Sequence, residues 1–247
     1  MKTPAIKIQQ LSFNYSEQAK LFSNLNLEIE DGESFGLFGP NGAGKTTLMS
    51  LMTGLLSFKD GSIEIGGYSI RKKNKKVNKL FGYVPQDFSF YEELTPQENL
   101  QFFGAWSGLN KNEIQKRSAE LFKILYLETV KNKQVKKFSG GMKRKVNLAI
   151  GVIHNPCILF LDEPTVGVDV QTRNDIITYL KQLNASGTTL VYTSHQLNEA
   201  EELCNKIALI DNGKIIAFDK LAHLLTQHQQ QDLERLFIHL TGKAYIE

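Results

Sequence analysis

Gly39-Pro40-Asn41-Gly42-Ala43-Gly44-Lys45-Thr46 fits the phosphate-binding pattern G-x-x-x-x-G-K-[ST] at every required position. Ser34-Phe35-Gly36-Leu37-Phe38 precedes it, short and largely apolar as a buried strand should be. After it, Leu48, Met49, Leu51 and Met52 fall largely on one side of a helix. Strand, glycine loop and helix are the context such a loop needs. The glycines let backbone N–H groups turn inward around phosphate oxygens, and the helix N-terminus adds positive partial charge. Lys45 can reach the β- and γ-phosphates, and the Thr46 hydroxyl can ligate Mg²⁺. An ordinary glycine-rich turn has no need of Lys-Thr after its last glycine.

The rest of the chain supplies room for such a site. Its 247 residues allow one large domain or two modest ones, and a hydrophobic fraction of 41% is enough for a sizeable core. The net charge of +3 gives no argument for nucleic acid. Cys157 and Cys204 lie far apart within apolar patterns, as small buried residues of a reducing compartment would. No Cys/His spacing suggests zinc. The N-terminus has no apolar signal core, and Leu148–Leu161 is too short and too polar at its centre to cross a bilayer. A cytoplasmic chain is expected.

Outward from the loop, Ile6 and Ile8, then Leu11, Phe13 and Tyr15, then Leu25, Leu27 and Ile29 alternate with polar residues, as half-buried strands do. Gly61–Gly67 adds another. The strands around the loop are therefore expected to be antiparallel at this end. Arg71–Lys76 is a dense basic run that reads as the solvated face of a loop or helix, with an acidic-lipid or nucleic-acid contact as the alternative. Phe81–Pro85 looks like a strand leading to Gln86. From about Asp87 to Asn155 the spacing turns helical, which predicts a helical subdomain inserted between strand-rich halves. Within it Phe88, Phe90 and Tyr91 are either a docking surface or core, while Phe102, Phe103 and Trp106 are expected in the core. Cys157–Leu161 reads as a strand buried on both faces. Ile176–Leu183 marks a helix, Thr188–Thr193 a strand, and Asp211-Asn212-Gly213 a hairpin turn. The alternation predicts an α/β fold with a mainly parallel central sheet over residues 1–220, followed by a helical tail over 221–247 that packs on the body or on a partner.

The carboxylates Asp162 and Glu163 end the buried strand, where an open α/β sheet delivers its residues to the ligand crevice. Asp162 is placed to hold Mg²⁺, through water, and Glu163 to polarise an attacking water. Gln86 can bridge metal or water to the helical block, and His195 can donate to a γ-phosphate. Ser139-Gly140-Gly141-Met142 opens a helix and so forms a second anion site. One nucleotide per chain needs only one such cradle. A dimer in which each chain's second cradle closes on the other chain's nucleotide accounts for both.

Taken in order, Tyr15, the loop Gly39–Thr46, Gln86, Ser139-Gly140-Gly141, Asp162-Glu163 and His195 resemble the ATP-binding subunit of an ATP-binding-cassette transporter, from about Ile6 to Phe218. The resemblance implies that Tyr15 stacks on adenine and that Lys45, Thr46 and Thr47 bind phosphates and metal. It implies that Ser139 and Gly141 contact a γ-phosphate across a head-to-tail dimer, with Asp169 in the loop that meets the partner. Glu163 would be the catalytic base and His195 the γ-phosphate switch. It further implies ATP and Mg²⁺ as ligands, a second ATP-binding subunit (this chain itself, as a homodimer) and a separate integral membrane permease as partners, and a place on the cytoplasmic face of the membrane. Phe138 and Met142 stand where the commonest signature has leucine and glutamine. Met142 followed by Lys143-Arg144-Lys145 resembles the branch of drug, lipid and polysaccharide exporters and sodium extruders, which favours export. A relative acting on ribosomes or DNA is the alternative, with only Arg71–Lys76 in its favour. A small-molecule kinase would leave Ser139-Gly140-Gly141 and His195 without a role.

Overall fold

A computed structural model describes residues 3–15, 20–71, 75–194 and 196–242. Strands β1 (Ile6–Phe13), β2 (Phe22–Ile29), β4 (Asp60–Ile65) and β5 (Tyr68–Ser69) form a four-stranded antiparallel sheet in the order β2-β1-β4-β5. The other strands are β3 (Ser34–Phe38), β6 (Phe81–Val84), β7 (Ile158–Asp162), β8 (Thr189–Thr193), β9 (Lys206–Asp211) and β10 (Lys214–Lys220). They form a second sheet in the order β10-β9-β3-β8-β7-β6, parallel throughout except for the β9–β10 hairpin. The mainly parallel sheet and the antiparallel N-terminal one are thus both present. The strands expected to be antiparallel, β1, β2 and β4, are so, and β3, which feeds the phosphate loop, belongs to the parallel sheet. All five of its residues are buried, and only a central position covers both faces of such a strand.

The parallel sheet divides the core in two. Along β7, Ile158 and Phe160 point into one cluster while Leu159 and Leu161 point into the other. Val191 opposes Leu190 and Tyr192 in the same way, and Ala208 and Ile210 oppose Ile207 and Leu209. The first cluster is closed by the antiparallel sheet and by α1 (Lys45–Met52), through Leu48, Met49, Leu51 and Met52. Helices close the second. Each fully buried Leu, Ile or Phe here contributes on the order of 1.5–3 kcal/mol relative to exposure.

A short helix α2 (Lys75–Leu80) leads into β6. Between β6 and β7 run α3 (Pro96–Trp106), α4 (Lys111–Ile124) and α5 (Gly140–Val152). Thr95 with Glu98, and Asn110 with Glu113, form reciprocal capping boxes that start α3 and α4. Leu121, Phe122, Val146 and Ile153 carry this block into the second cluster. Phe102 and Trp106 do not: they are 42% and 83% exposed, contrary to the expected core position. The buried face of α3 is Asn99, Leu100 and Gly104, and residues two and six places beyond Leu100 fall on the opposite side. Phe103 alone of the three packs against the core.

After β7 come α6 (Val170–Ala185), α7 (Leu197–Leu203), α8 (Leu221–Gln227) and α9 (Leu233–Thr241). The tail packs on the body: Leu233, Leu236 and Phe237 of α9 are buried, and the Leu233 N–H donates to Glu201 Oε1 at 2.7 Å. Cys204 is buried as expected, but Cys157 is exposed, because it precedes the first residue of β7 at the margin of the sheet. In the basic run, Arg71 lies over the Phe58 ring and Lys75 opens α2, while Lys72, Lys73 and Asn74 lie outside the described residues. Among the described residues no helix is long and apolar enough to cross a membrane.

Candidate functional site

The loop from Gly39 to Gly44 leaves the end of β3 and enters α1. Gly44 caps that helix with no side-chain hydrogen bond, so the first-turn N–H groups face the cleft without a capping side chain. Lys45 is 6% exposed, and its Nζ donates to the carbonyls of Gly39 and Pro40 at 2.6 and 3.1 Å. Burial pushes its pKa down, while Glu163 and Asp162 pull it back up. The cleft above has a volume of about 830 Å³, and Tyr15, Lys45, Thr46, Thr47, Gln86 and Glu163 are among its lining residues. The Tyr15 hydroxyl lies 2.7 Å from Thr47 Oγ1, which leaves the ring 63% exposed at the rim, edge-on to Phe13. The rim is where a planar base can stack.

The far wall is the C-terminal end of β7. Asp162 is 1% exposed, and its Oδ1 accepts from Thr193 Oγ1 at 2.7 Å and lies 3.5 Å from Thr46 Oγ1. Glu163 has φ +52°, a left-handed conformation unusual for a residue with a side chain, and its N–H donates to the Thr193 carbonyl at 3.1 Å. Gln86 Nε2 donates to Glu163 Oε2 at 3.0 Å. The oxygens gathered here come from Thr46, Asp162 and Glu163, with the Gln86 amide turned to Glu163 through its Nε2, and an oxygen set suits a hard divalent cation. No group of three or more acidic, His or Cys residues among the described residues could cage a metal alone. That set fits a Mg²⁺ ion that completes its shell with phosphate oxygens and water.

Ser139, Gly140, Gly141 and Met142 do not line this cleft. Ser139 caps α5 on the surface, its Oγ accepting from the Met142 N–H at 3.3 Å, and Ser139 and Gly140 are both exposed. Gly141 packs so closely on the start of α6 that a Cβ would sit 2.9 Å from Thr172 Oγ1 and 3.3 Å from Asp169 Oδ2. Asp169 is itself exposed and caps α6 through the Thr172 N–H and hydroxyl, whose hydrogen bonds hold its pKa below the ordinary value. With Val166 and Val170, 37% and 74% exposed, these residues form one surface strip. The structure therefore gathers Tyr15, the loop, Gln86 and Glu163 at one cleft, with Asp162 buried behind Thr46, and puts Ser139–Met142 with Asp169 at a separate place. His195 lies outside the described residues.

Other contributors escape motif reading. Arg144 donates to the Gln86 carbonyl and lies over the Phe88 ring, and Asn147 Nδ2 donates to the Pro85 carbonyl at 3.0 Å. Thr193 links Asp162 to Glu163. In sequence Asn147 is a polar residue between Val146 and Leu148, Thr193 a polar residue after Tyr192, and Arg144 one of three basic residues in Lys143-Arg144-Lys145, which does not single it out. A polar residue buried in an apolar run is the signal that could have found Asn147 and Thr193.

Residues 22–166 match the ABC transporter family. The linearmycin resistance ATP-binding protein LnrL of Bacillus subtilis (strain 168) is 40% identical over 226 residues, covering 92% of this chain and 73% of that protein. The Nod factor export ATP-binding protein I of Ralstonia nicotianae is 36% identical over 95% of this chain and 73% of that one. A solved ATP-binding subunit of an ABC transporter superposes with a TM-score of 0.88 at 28% identity, over 97% of this chain and all of that one. A dimeric ATP-binding cassette in a post-hydrolysis state, bound to ADP and Pi, superposes with a TM-score of 0.78 at 27% identity over 87% of this chain and 98% of that one.

Proposed function

This chain belongs to the ABC transporter family as one of its ATP-binding subunits, and from that premise we propose that two copies close head to tail on two ATP molecules and drive a separate membrane permease in export. Residues 1–220 are the nucleotide-binding module in this reading, with about 87–155 inserted and 221–247 as tail. The observation that carries it is the division of the site. Ser139 is not among the residues that line the cleft with Lys45 and Glu163, and it caps an exposed helix N-terminus beside Asp169. Each half is complete only against the opposite half of a second chain. The solved dimer bound to ADP and Pi supports the arrangement, and the relative named for Nod factor export supports the direction.

Within one site, Tyr15 stacks on the adenine and the N–H groups of Gly42–Thr46 cradle the phosphates. Lys45 exchanges its two carbonyl acceptors for β- and γ-phosphate oxygens. Thr46 and Gln86, with Asp162 through water, would hold Mg²⁺, which offsets phosphate charge. Glu163 accepts a proton from the attacking water as its oxygen bonds to the γ-phosphorus and the bridging oxygen leaves with ADP. Gln86 orients that carboxylate from the position the structure gives it, 3.0 Å away. His195 would donate to the γ-phosphate, and Ser139 and Gly141 of the second copy close the other side. The exposed Phe88, Tyr91 and Trp106 of the helical block are the surface on which the permease docks, at the cytoplasmic face of the membrane.

Glu163→Gln tests the division of the site. ATP turnover should fall by about three orders of magnitude while ATP binding persists and a dimer accumulates in size-exclusion chromatography with ATP. Wild-type turnover in that variant, or a monomer at saturating ATP, would remove the reading.

A further inference from the structure

Glu199 has no part in the assignments above, yet it is completely buried, on α7 behind the site. Its Oε2 accepts from the hydroxyls of Thr165 at 2.8 Å, Tyr192 at 2.6 Å and Ser194 at 2.8 Å, and its Oε1 accepts from Arg173 Nε at 2.9 Å. The donors come from separate parts of the site. Thr165 stands two residues past Glu163, on the turn that leaves β7. Tyr192 lies in β8, next to the Thr193 that holds both Asp162 and the Glu163 N–H. Ser194 is at the exit of β8, and its Oγ also accepts from the Gln196 N–H at 3.0 Å. Arg173 is in the first turn of α6, whose cap is Asp169.

A buried carboxylate is costly unless it is both paired and hydrogen-bonded, and here every donor but the arginine is a hydroxyl that could equally have served a neutral side chain. Burial, with Glu199 beside it, holds the Tyr192 phenol well above its ordinary pKa, so it remains a donor. Packing alone does not call for a charge at this point, because the same volume could be filled by an apolar residue. What the charge supplies is a common acceptor for segments far apart in sequence.

We propose that Glu199 is a positioning residue for ATP hydrolysis: its carboxylate fixes the turn after Glu163, the exit of β8 and the helix that follows Asp169 in one geometry. Movement of the Asp169 cap against a partner is thereby transmitted through Arg173 and Glu199 to Thr165 and Ser194, and so to the backbone on which Glu163 stands. This role rests on the ATPase reading of the site.

The test is steady-state ATP hydrolysis by the purified full chain with Mg²⁺, for wild type, Lys45→Ala, Glu199→Gln, Thr165→Ala and Thr165→Ser. Glutamine keeps the length of Glu199 but loses the charge and part of the acceptor capacity. A displacement of the order of 1 Å at the reacting groups is expected to lower kcat about 10- to 100-fold in Glu199→Gln, with KM for ATP within roughly 2-fold and the fold intact by circular dichroism. Thr165→Ala removes one arm and should lower kcat about 5-fold, and Thr165→Ser, which keeps the hydroxyl, should recover it. Wild-type kcat in a folded Glu199→Gln protein overturns the proposal. So does a loss of kcat matched by loss of ATP affinity, since that is mere structural damage. If Glu199→Gln does not fold, the threonine pair decides: equal kcat for Thr165→Ala and wild type, or no recovery in Thr165→Ser, overturns it. Wild type no faster than Lys45→Ala would instead remove the ATPase reading itself, and the inference with it.

Discussion

Gly39→Ala should cost more ATP affinity than Gly42→Ala, although both lie in the same loop and add the same methyl group. At Gly39 the backbone of the loop runs against the β9–β10 hairpin, and an added Cβ would overlap the carbonyl oxygen of Ile210 and crowd its Cγ2 at 2.9 Å. Backbone cannot swing aside as a side chain can. Relief requires the loop and the strand end to part by about 1 Å, and misplacement on that scale costs on the order of 100-fold, or roughly 2.7 kcal/mol, at a preorganised site. At Gly42 nothing lies within 4 Å of an added Cβ, but φ is +78°. Alanine there carries only the left-handed backbone cost of about 1–2 kcal/mol. Part of that strain falls on the nucleotide-free state, so the affinity loss should stay within about 10-fold. Isothermal titration with ATP, paired with thermal unfolding to confirm that both variants fold, orders the two. Near wild-type affinity in Gly39→Ala, or a larger loss in Gly42→Ala, refutes the account of the loop as pinned against Ile210.

Lys45→Met should raise the unfolding temperature of the nucleotide-free chain while abolishing ATP binding, because burial disfavours the ammonium more than Glu163 and Asp162 restore it. The sign also sets a pH dependence. The folded pKa lies below the ordinary 10.5, so between the two the unfolded chain binds more protons and stability gained from neutralising Lys45 appears as pH rises through that window. Lys45→Met should lack that component, and parallel pH profiles for the two proteins would count against it. Leu236→Ala, at a fully buried position of α9, should destabilise the chain by about 2–5 kcal/mol in urea unfolding, whereas an unattached tail would show no change.

The parts of this fold that were legible in sequence are those that repeat or punctuate. The alternation of β1 and β2, the apolar run of β7, the hairpin at Asp211-Asn212-Gly213 and the glycine loop each carry a local physical signature. Phe102 and Trp106 misled because hydrophobicity alone does not say which side of a helix faces the core. Here Asn99 takes a core position by bonding to the carbonyls of Tyr91 and Thr95, leaving two aromatics outside. Helices α7 and α8 are only seven residues each and offer no sustained period to read. Site residues that touch ligand sit in motifs. Those that orient them, such as Arg144, Thr193 and Glu199, are set by contacts between segments far apart in the chain, which spacing cannot encode.

One helix ties the two half-sites of a chain together. Ser139 caps α5 at the surface, and on the turns that follow Arg144 and Asn147 grip the carbonyls of Gln86 and Pro85. Lys145 pairs with Asp175 of α6 at 2.7 Å, both side chains nearly buried. A helix of 13 residues, about 20 Å long, moves as a rod and cannot absorb a displacement at its cap within one turn. In the proposed dimer, Ser139 meets the nucleotide held by the second copy, while Gln86 meets Glu163 in the chain's own cleft. A shift of the cap on closing therefore reaches the Gln86 amide and the carboxylate 3.0 Å from it. The two composite sites are then coupled within each chain as well as across the interface. The Gln86–Glu163 hydrogen bond is the last link, so Gln86→Ala would cut the connection between the two half-sites and also remove what Gln86 contributes to the metal site of its own cleft.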